Sequence, residues 1–388
     1  MKQGDKNSLP KGWEMKILDQ VSENLDSRRV PITKQKRNSG DIPYYGASGI
    51  VDYVSDYLFN ENILCVSEDG ANLLARTYPI AFSVSGKCWV NNHAHVLKFD
   101  NLITQNYVEY YLNSIRLEDF VSGMAQPKLN QSMLNKIQIP IPSIEEQQRI
   151  VAKLDGAFEA IEKAKANAEQ NLKNAKELFE SYLQAIFENK GKDWEEKTLG
   201  KVLQKTETID PTKNPNDEFI YLDVSSVNKE TKEIENPSVL YGKDAPSRAR
   251  KLVKTNDVIF ATVRPTHGRV ALITEKYNCQ VCSTGYFVLR TKEFLYSNFV
   301  YYFLLTHEFN KLMEKLQKGA SYPAVTENEV KHVIIPFPKS LSEQQSIVQK
   351  LDALSAETKK LEAIYQKKLE DLEELKKSIL QKAFTGQL

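Results

Sequence analysis

Two long stretches carry apolar residues at alternating steps of three and four. In the first, Val151, Leu154, Phe158, Ile161, Lys165, Ala168, Leu172, Ala175, Phe179, Tyr182 and Ile186 follow that spacing, and only Lys165 breaks the apolar seam. In the second, Ile347, Leu351, Leu354, Thr358, Leu361, Tyr365, Lys368, Leu372, Leu375 and Ile379 do the same. Such spacing, sustained for about five heptads, predicts two coiled-coil helices. Each is preceded by Pro-x-Pro (Pro140 and Pro142; Pro336 and Pro338) and by a Ser-x-x-Glu signal, Ser143 with Glu146 and Ser340 with Glu343. That signal predicts a reciprocal capping box. Gly191 and Gly386 supply the stops. A helix of about 44 residues spans roughly 66 Å at 1.5 Å per residue. The bland alternative is two unrelated amphipathic helices, each packed on its own domain. Shared caps, lengths and register favour helices that pack on each other, antiparallel, with a domain at each end.

The stretches between read differently. Asn62–Ser67, Ile80–Ser85 and His95–Phe99 alternate or run apolar over strand lengths, and Gln105–Asn113 reads as a helix. Further on, Phe219–Val224, Asp257–Val263, Val270–Thr274 and Tyr286–Arg290 predict strands, followed by one helix over Ser297–Gln317. Each half runs strands first, then a helix, then a Gly-to-Pro segment.

The two halves are copies at their joints. Glu-Gln-Gln-x-Ile-Val-x-Lys-Leu-Asp begins at Glu146 and again at Glu343. Gly123, Pro127, Leu129, Leu134, Ile137 and Ile139 match Gly319, Pro323, Val325, Val330, Val333 and Ile335. Trp13-Glu14 resembles Trp194-Glu195. A period of half the chain is too long for a solenoid and marks a duplicated half. The expected fold class is α+β: two globular mixed α/β domains separated by two long antiparallel coiled-coil helices, related by a pseudo-two-fold internal repeat. The expected divisions are 1–142 and 191–338 for the globular parts, with 143–190 and 339–388 for the helices. Outside the joints, about 30–120 and 205–315, the halves share nothing useful.

Charge narrows the function only locally. The 388 residues hold 52 basic and 51 acidic side chains, so net charge alone does not indicate nucleic acid. Patches do. Arg28, Arg29, Lys34, Lys36 and Arg37 fall between Ser27 and Gly40 with no acid among them, and Tyr44-Tyr45 follows. Cations beside exposed aromatics suit phosphate contact, although a solvated loop reads the same way. Arg76 and Lys87 flank strand ends in the same half. In the second half Lys243, Arg248, Arg250, Lys251 and Lys254 crowd one loop with the single acid Asp244. Arg264-Pro-Thr266-His267-Gly-Arg269 forms a tight turn between two strands, where arginine can pair with guanine and Thr or His can reach neighbouring base edges. A surface hairpin with incidental arginines is the alternative. Ala125-Gln126 and Ser321-Tyr322 differ between the repeated Gly-x-x-x-Pro loops and are placed to face a ligand.

Enzymatic signatures are missing. There is no Gly-x-x-x-x-Gly-Lys-Ser/Thr loop, no Gly-x-Gly-x-x-Gly after a strand, and no Asn/Asp-Pro-Pro-Tyr/Phe tetrapeptide. Cys279-x-x-Cys282 fits ordinary thiols as well as half a zinc site, and His93-x-His95 has no apparent third ligand. Glu68-Asp69 beside Gly70 reads as a turn. The reading is therefore no catalytic residue and no metal. Four cysteines and no apolar run of spanning length point to a reduced, cytoplasmic setting with no membrane segment.

The doubled Pro-x-Pro, the doubled decapeptide with its long helix, and the ending Lys382-Ala-Phe-Thr-Gly-Gln-Leu388 resemble the specificity subunit of type I restriction-modification systems. The resemblance covers Trp13 to Leu388. It implies two target-recognition domains, each reading half of a split double-stranded DNA site, with the helices as a ruler. It also implies two modification (methyltransferase) subunits that bind S-adenosylmethionine and methylate adenine, and restriction subunits that use ATP and Mg2+. The family does not fix which side chains touch bases. A coiled-coil adaptor that binds only proteins, or an enzyme with an unrecognised site, are the competing readings.

Overall fold

The computed structural model describes residues 9–123 and 126–388. Its contacts divide the chain into two compact units: Met1–Glu169 with Lys367–Leu388, and Gln170–Gln366. Both long helices cross that division. The central helix is Ile144–Glu188 and the terminal helix is Leu341–Ala383.

In the first unit, Glu23–Asn24, Ala94–Lys98, Ile63–Ser67 and Ala81–Val84 form an antiparallel sheet in that order. A second sheet runs Gly49–Val54, Ile42–Gly46, Lys87–Val90, Phe59–Asn60, with one parallel pair, Tyr44 opposite Trp89. Glu14–Ile17 pairs with Gln138–Ile141 just before the central helix. The helix Leu102–Ser114 lays Tyr107, Val108, Tyr111 and Leu112 into the core. That core is completed by both long helices: Ile150, Val151 and Leu154 from the start of one, Ala383 and Phe384 from the end of the other. Two ion pairs fix the direction. Lys165 meets Glu373 at 2.9 Å and Glu162 meets Lys376 at 3.2 Å, so one helix rises as the other falls. Lys165, the break in the apolar seam, is thus half-buried beside an acid of the partner helix.

The second unit repeats the plan. Trp194–Thr198 pairs with Ile334–Pro338. Val270–Leu272, Val258–Ala261 and Tyr286–Leu289 form one sheet. Ser238–Tyr241, Glu218–Leu222, Val281–Ser283 and Ala249–Leu252 form another. Its core takes Leu183 and Phe187 from the central helix and Val348 and Leu351 from the terminal one.

The duplicated decapeptide is explained by its contacts. Gln147 and Gln344 are buried and donate from Nε2 to the carbonyls of Pro142 (2.9 Å) and Pro338 (2.8 Å), locking each helix to the strand before it. Leu154 and Leu351 are fully buried. Asp155 accepts from the Tyr110 hydroxyl and Asp352 from that of Tyr302, each at 2.5 Å, which docks the globular part on its helix. The identities Gln147, Leu154 and Asp155, with Gln344, Leu351 and Asp352, are thus one side of a head-to-helix joint.

Four expectations need correction. The capping boxes are half-formed: Ser143 and Ser340 accept from the amides of Glu146 and Glu343, each at 3.4 Å. The glutamates turn elsewhere, Glu146 to Arg149 at 2.6 Å and Glu343 to the Trp194 indole at 3.3 Å. The apolar seams also drift. Tyr182, Leu361, Lys368 and Leu375 are exposed, while Leu183 and Phe187 are buried. Successive steps of four advance 40° on a straight helix, and the stripe from Phe179 to Leu183 to Phe187 follows that drift into the globular core. The expected helix Ser297–Gln317 is two, Ser297–Leu304 and His307–Leu316. Thr306 stops the first and caps the second, its hydroxyl accepting from Phe309 N at 3.2 Å. Gly191 has no left-handed φ and serves close packing instead: a Cβ there would lie 2.9 Å from the Trp194 ring.

Among the described residues no helix is long and apolar enough to cross a membrane.

Candidate nucleic-acid interface

The repeated Gly-x-x-x-Pro loops dock in the same way on unlike sheets. In the first unit Gly70 N donates to Pro127 O at 3.0 Å, Leu129 N to Glu68 O at 2.8 Å, and Ser122 and Lys128 exchange both backbone bonds. In the second, Arg264 N donates to Pro323 O at 2.7 Å, Val325 N to Thr262 O at 2.9 Å, and Lys318 and Ala324 exchange both. These bonds equate Glu68-Asp69-Gly70 with Thr262-Val263-Arg264, and Gln126 with Tyr322. Sequence comparison finds nothing shared there, because backbone groups carry the match.

The first corner is braced by a buried charge cluster. Arg29 reaches Glu68 at 2.7 Å, Asp26 at 3.2 Å and the carbonyl of Ala94 at 2.7 Å. His95, 1% exposed, has Nδ1 2.6 Å from Asp26 and Nε2 2.8 Å from the Leu129 carbonyl. Lys128 meets Glu68 at 3.1 Å. Burial raises the Asp26 carboxyl, but the hydrogen bond and charge of His95, the Val96 amide and Arg29 outweigh it and hold it below its usual range. Glu68 lies below its usual range too, burial again being outweighed, here by Arg29 and Lys128. Asp26, Glu68 and His95 bring ligand atoms within 4.8 Å of one another, yet the Arg29 guanidinium already bridges both carboxylates. Outside the cluster, His93 Nδ1 lies 3.0 and 2.8 Å from the two Asp69 oxygens, with His93 half-exposed at the rim.

The second corner is neutral underneath and cationic outside. Thr262 donates to the Gly285 carbonyl at 3.0 Å. Arg264 sits in the left-handed region at φ +49, where Gly70, in the equivalent place, has φ +107. Its guanidinium lies 5.3 Å from the Tyr322 ring centroid, and Tyr322 is 72% exposed. Exposed His267 is held below its usual pKa by partial burial and by the charges of Arg264, Arg269 and Lys229. Thr266 is half-buried. Arg269 is turned inward to the carbonyls of Ser225 and Val227.

Most residues of the two basic patches have internal partners. Arg28 pairs with Glu61 at 2.7 Å over the Phe59 ring. Arg37 pairs with Asp52 at 2.9 Å over Tyr44. Tyr44 is not an exposed aromatic: it is 1% exposed and its hydroxyl bonds the Ile32 backbone. Tyr45 is half-buried and stacks on Phe82. Arg76, also left-handed at φ 54, donates to the carbonyls of Leu112 and Ile115, closing the end of the Leu102–Ser114 helix. Arg250 faces Asp210 at 3.6 Å, Lys254 meets Glu207 at 2.7 Å, and Lys251 binds Glu327 and the Tyr286 carbonyl. Lys34, Lys36, Lys87, Lys243, Arg248 and Arg264 make no ion pair among the described residues; Lys87 lies over Tyr57 and Lys243 over Tyr241. Gln126 is exposed, and Ala125 lies outside the described residues. Cys279 is exposed while Cys282 is buried in its strand, so the pair does not share a face. Sequence reasoning noted Glu68-Asp69 and His93-x-His95 separately and missed the Asp69–His93 pair, because only folding brings the two segments together.

The family profile described as "Type I restriction modification DNA specificity domain" matches twice, over residues 10–170 and 191–371. The chain belongs to this family. A putative type I restriction enzyme specificity subunit of Haemophilus influenzae is 37% identical over 142 residues, 37% of this chain and 36% of the relative. The chain thus matches about a third of that relative's length. A type I restriction enzyme specificity subunit of Methanocaldococcus jannaschii is 21% identical over 98% of this chain and 94% of its own. The solved chain described as "Structural basis underlying complex assembly and conformational transition of the type I R-M system" has the same fold, with a TM-score of 0.72 at 19% identity over 98% of this chain and 100% of that one. The two family matches divide the chain as its internal repeat does.

Proposed function

We propose that this specificity-family chain reads a bipartite double-stranded DNA site and directs adenine methylation and restriction carried out by partner subunits. Each globular part reads one half-site. The long helices set the unread spacer and dock two modification subunits. S-adenosylmethionine, ATP and Mg2+ belong to the modification and restriction subunits, and this cytoplasmic chain contributes recognition alone. The observation that carries the reading is one backbone frame built twice, Gly70 on Pro127 and Arg264 on Pro323, under unlike side chains. A duplicated frame with divergent surfaces is what reading two different sequences requires. Exposed Leu178, Tyr182, Leu361 and Ile364 on the helices support the docking role. Of the residues offered for DNA contact, Lys34, Lys36, Lys87, Arg248, Arg264, His267, Gln126 and Tyr322 retain free side-chain faces; Arg29, Arg76, Lys251 and Arg269 support the loops from beneath.

Removing one heptad from each long helix tests the reading. It shortens the rods by about 10.5 Å, or about three base pairs at 3.4 Å each. Mapped methyl-adenines should move to sites with a shorter spacer and unchanged half-sites. Unchanged sites would refute the ruler. DNA binding by the assembled complex that is insensitive to salt would favour a protein-only adaptor.

A further inference from the structure

We propose that Asp69, positioned by His93, is the base-reading group of the first globular part, one residue before the glycine that stands where Arg264 stands in the second. The inference rests on the DNA-reading function above and names the chemistry each half-site must present. Three observations carry it. First, the loop hydrogen bonds place Asp69-Gly70 against Pro127 as Val263-Arg264 lies against Pro323, so the two corners are the same place in the repeat. Second, Asp69 differs from its neighbour. Glu68 is consumed by Arg29, Lys128 and the buried cluster. The Asp69 carboxylate lies outside that cluster, its side chain 19% exposed, beside half-exposed His93 at the rim, with exposed Gln126 in the docked repeat loop. Third, His93 is itself held: its amide donates to Asn91 Oδ1 at 2.8 Å, and its carbonyl accepts from Glu68 N at 2.9 Å. The imidazole therefore orients the carboxylate from a fixed turn.

A hydrogen bond from a half-exposed imidazole at the rim contributes little to stability. A carboxylate at the corner of a loop that meets DNA is repelled by phosphates and by guanine O6 and N7. Its favourable partner is an exocyclic amino group, N4 of cytosine or N6 of adenine, because a carboxylate only accepts. Arg264 is the reverse: its donor fork suits guanine. The two corners thus read opposite hydrogen-bond polarity, from adjacent positions of one repeated frame.

The test uses the full chain assembled with its modification subunits and a panel of duplexes in which each base pair of the methylated site is replaced in turn. Asp69→Ala should weaken binding to the cognate duplex roughly tenfold or more. The loss should disappear on duplexes lacking one amino-bearing base in the first half-site. Asp69→Asn should relax the preference at that position, and His93→Ala should give a smaller loss at the same position. Arg264→Ala should lose binding through a guanine of the other half-site. Equal loss on every duplex, or no loss with either Asp69 variant while Arg264→Ala behaves as stated, would overturn the assignment of Asp69. Absence of site-dependent binding by the unmodified complex would instead overturn the DNA-reading function itself. Protection of the Gly70 and Leu129 amides from hydrogen exchange separates a misfolded variant from a lost contact.

Discussion

The two loop corners solve one mechanical problem with opposite means. In the first unit the corner is braced by charge: Arg29, Asp26, Glu68, His95 and Lys128 form a network under a glycine that takes its positive φ without strain. In the second, the equivalent of Glu68 is Thr262, which makes a neutral hydrogen bond, and the strained position is given to Arg264. A non-glycine residue held left-handed costs of order 1–3 kcal/mol and persists where the surroundings over-determine it. The Pro323 carbonyl and the Tyr322 ring supply that determination. The contrast teaches that the frame is inherited from the duplication while support and display were reassigned separately in each half.

The sharpest way to break this comparison is Arg29→Ala. It leaves Asp26 and Glu68 without their shared guanidinium in a largely buried site, and removing one partner of such a network costs about 3 kcal/mol or more. Hydrogen exchange should accelerate across Ile63–Ser67 and Ala94–Lys98 and stay unchanged across Val258–Ala261. Equal loosening in both units would mean that the corner is not braced locally.

Acid should act on the same brace, more gently. The folded Asp26 and Glu68 carboxyls lie below their ordinary 3.8 and 4.5. A depressed folded value gives stability that is complete above those ordinary values and is lost as pH falls through and below them. Protection of the Leu129 amide, corrected for intrinsic exchange, should therefore fall with acid before that of Val325. Asp26→Asn should flatten the difference.

The smallest effect tests the strain. Arg264→Ala and Arg264→Gly remove the same contacts, but only glycine relaxes φ +49. Arg264→Gly should be more stable than Arg264→Ala by about 1 kcal/mol in denaturant melts. Gly70→Ala should cost a comparable amount in the first unit, where a Cβ meets nothing within 4 Å and the penalty is backbone alone. Equal stability of the two Arg264 variants would remove strain from the account.

Much of the scaffold was legible in the chain. Three-four spacing placed the starts of both long helices to within a residue or two, since helical periodicity is a local property of apolar positions, while the terminal helix ends at Ala383, short of the expected 388. The doubled decapeptide located the joints, and Gln147, Leu154 and Asp155 later proved to be their contacts. The strands Ile63–Ser67 and Tyr286–Leu289 were found from apolar runs, whereas Ile42–Gly46 and Lys87–Val90 were not, since the first holds a proline and ends on glycine, the second is four residues opening on a cation, and their mutual pairing is parallel and remote.

The interface was far less legible. Clustered cations at 28–37 and 243–254 look like binding patches in one dimension, yet their acids, Glu61, Glu68, Asp52, Glu207 and Glu327, come from distant segments. The sequence by itself determined the duplicated rods and joints, because these rest on apolar periodicity and repeated side chains within one segment. Tertiary structure alone decided which cations remain free and that Gly70, next to Asp69, occupies the position of Arg264, because ion pairing and backbone hydrogen bonding join residues that only folding brings within 3 Å.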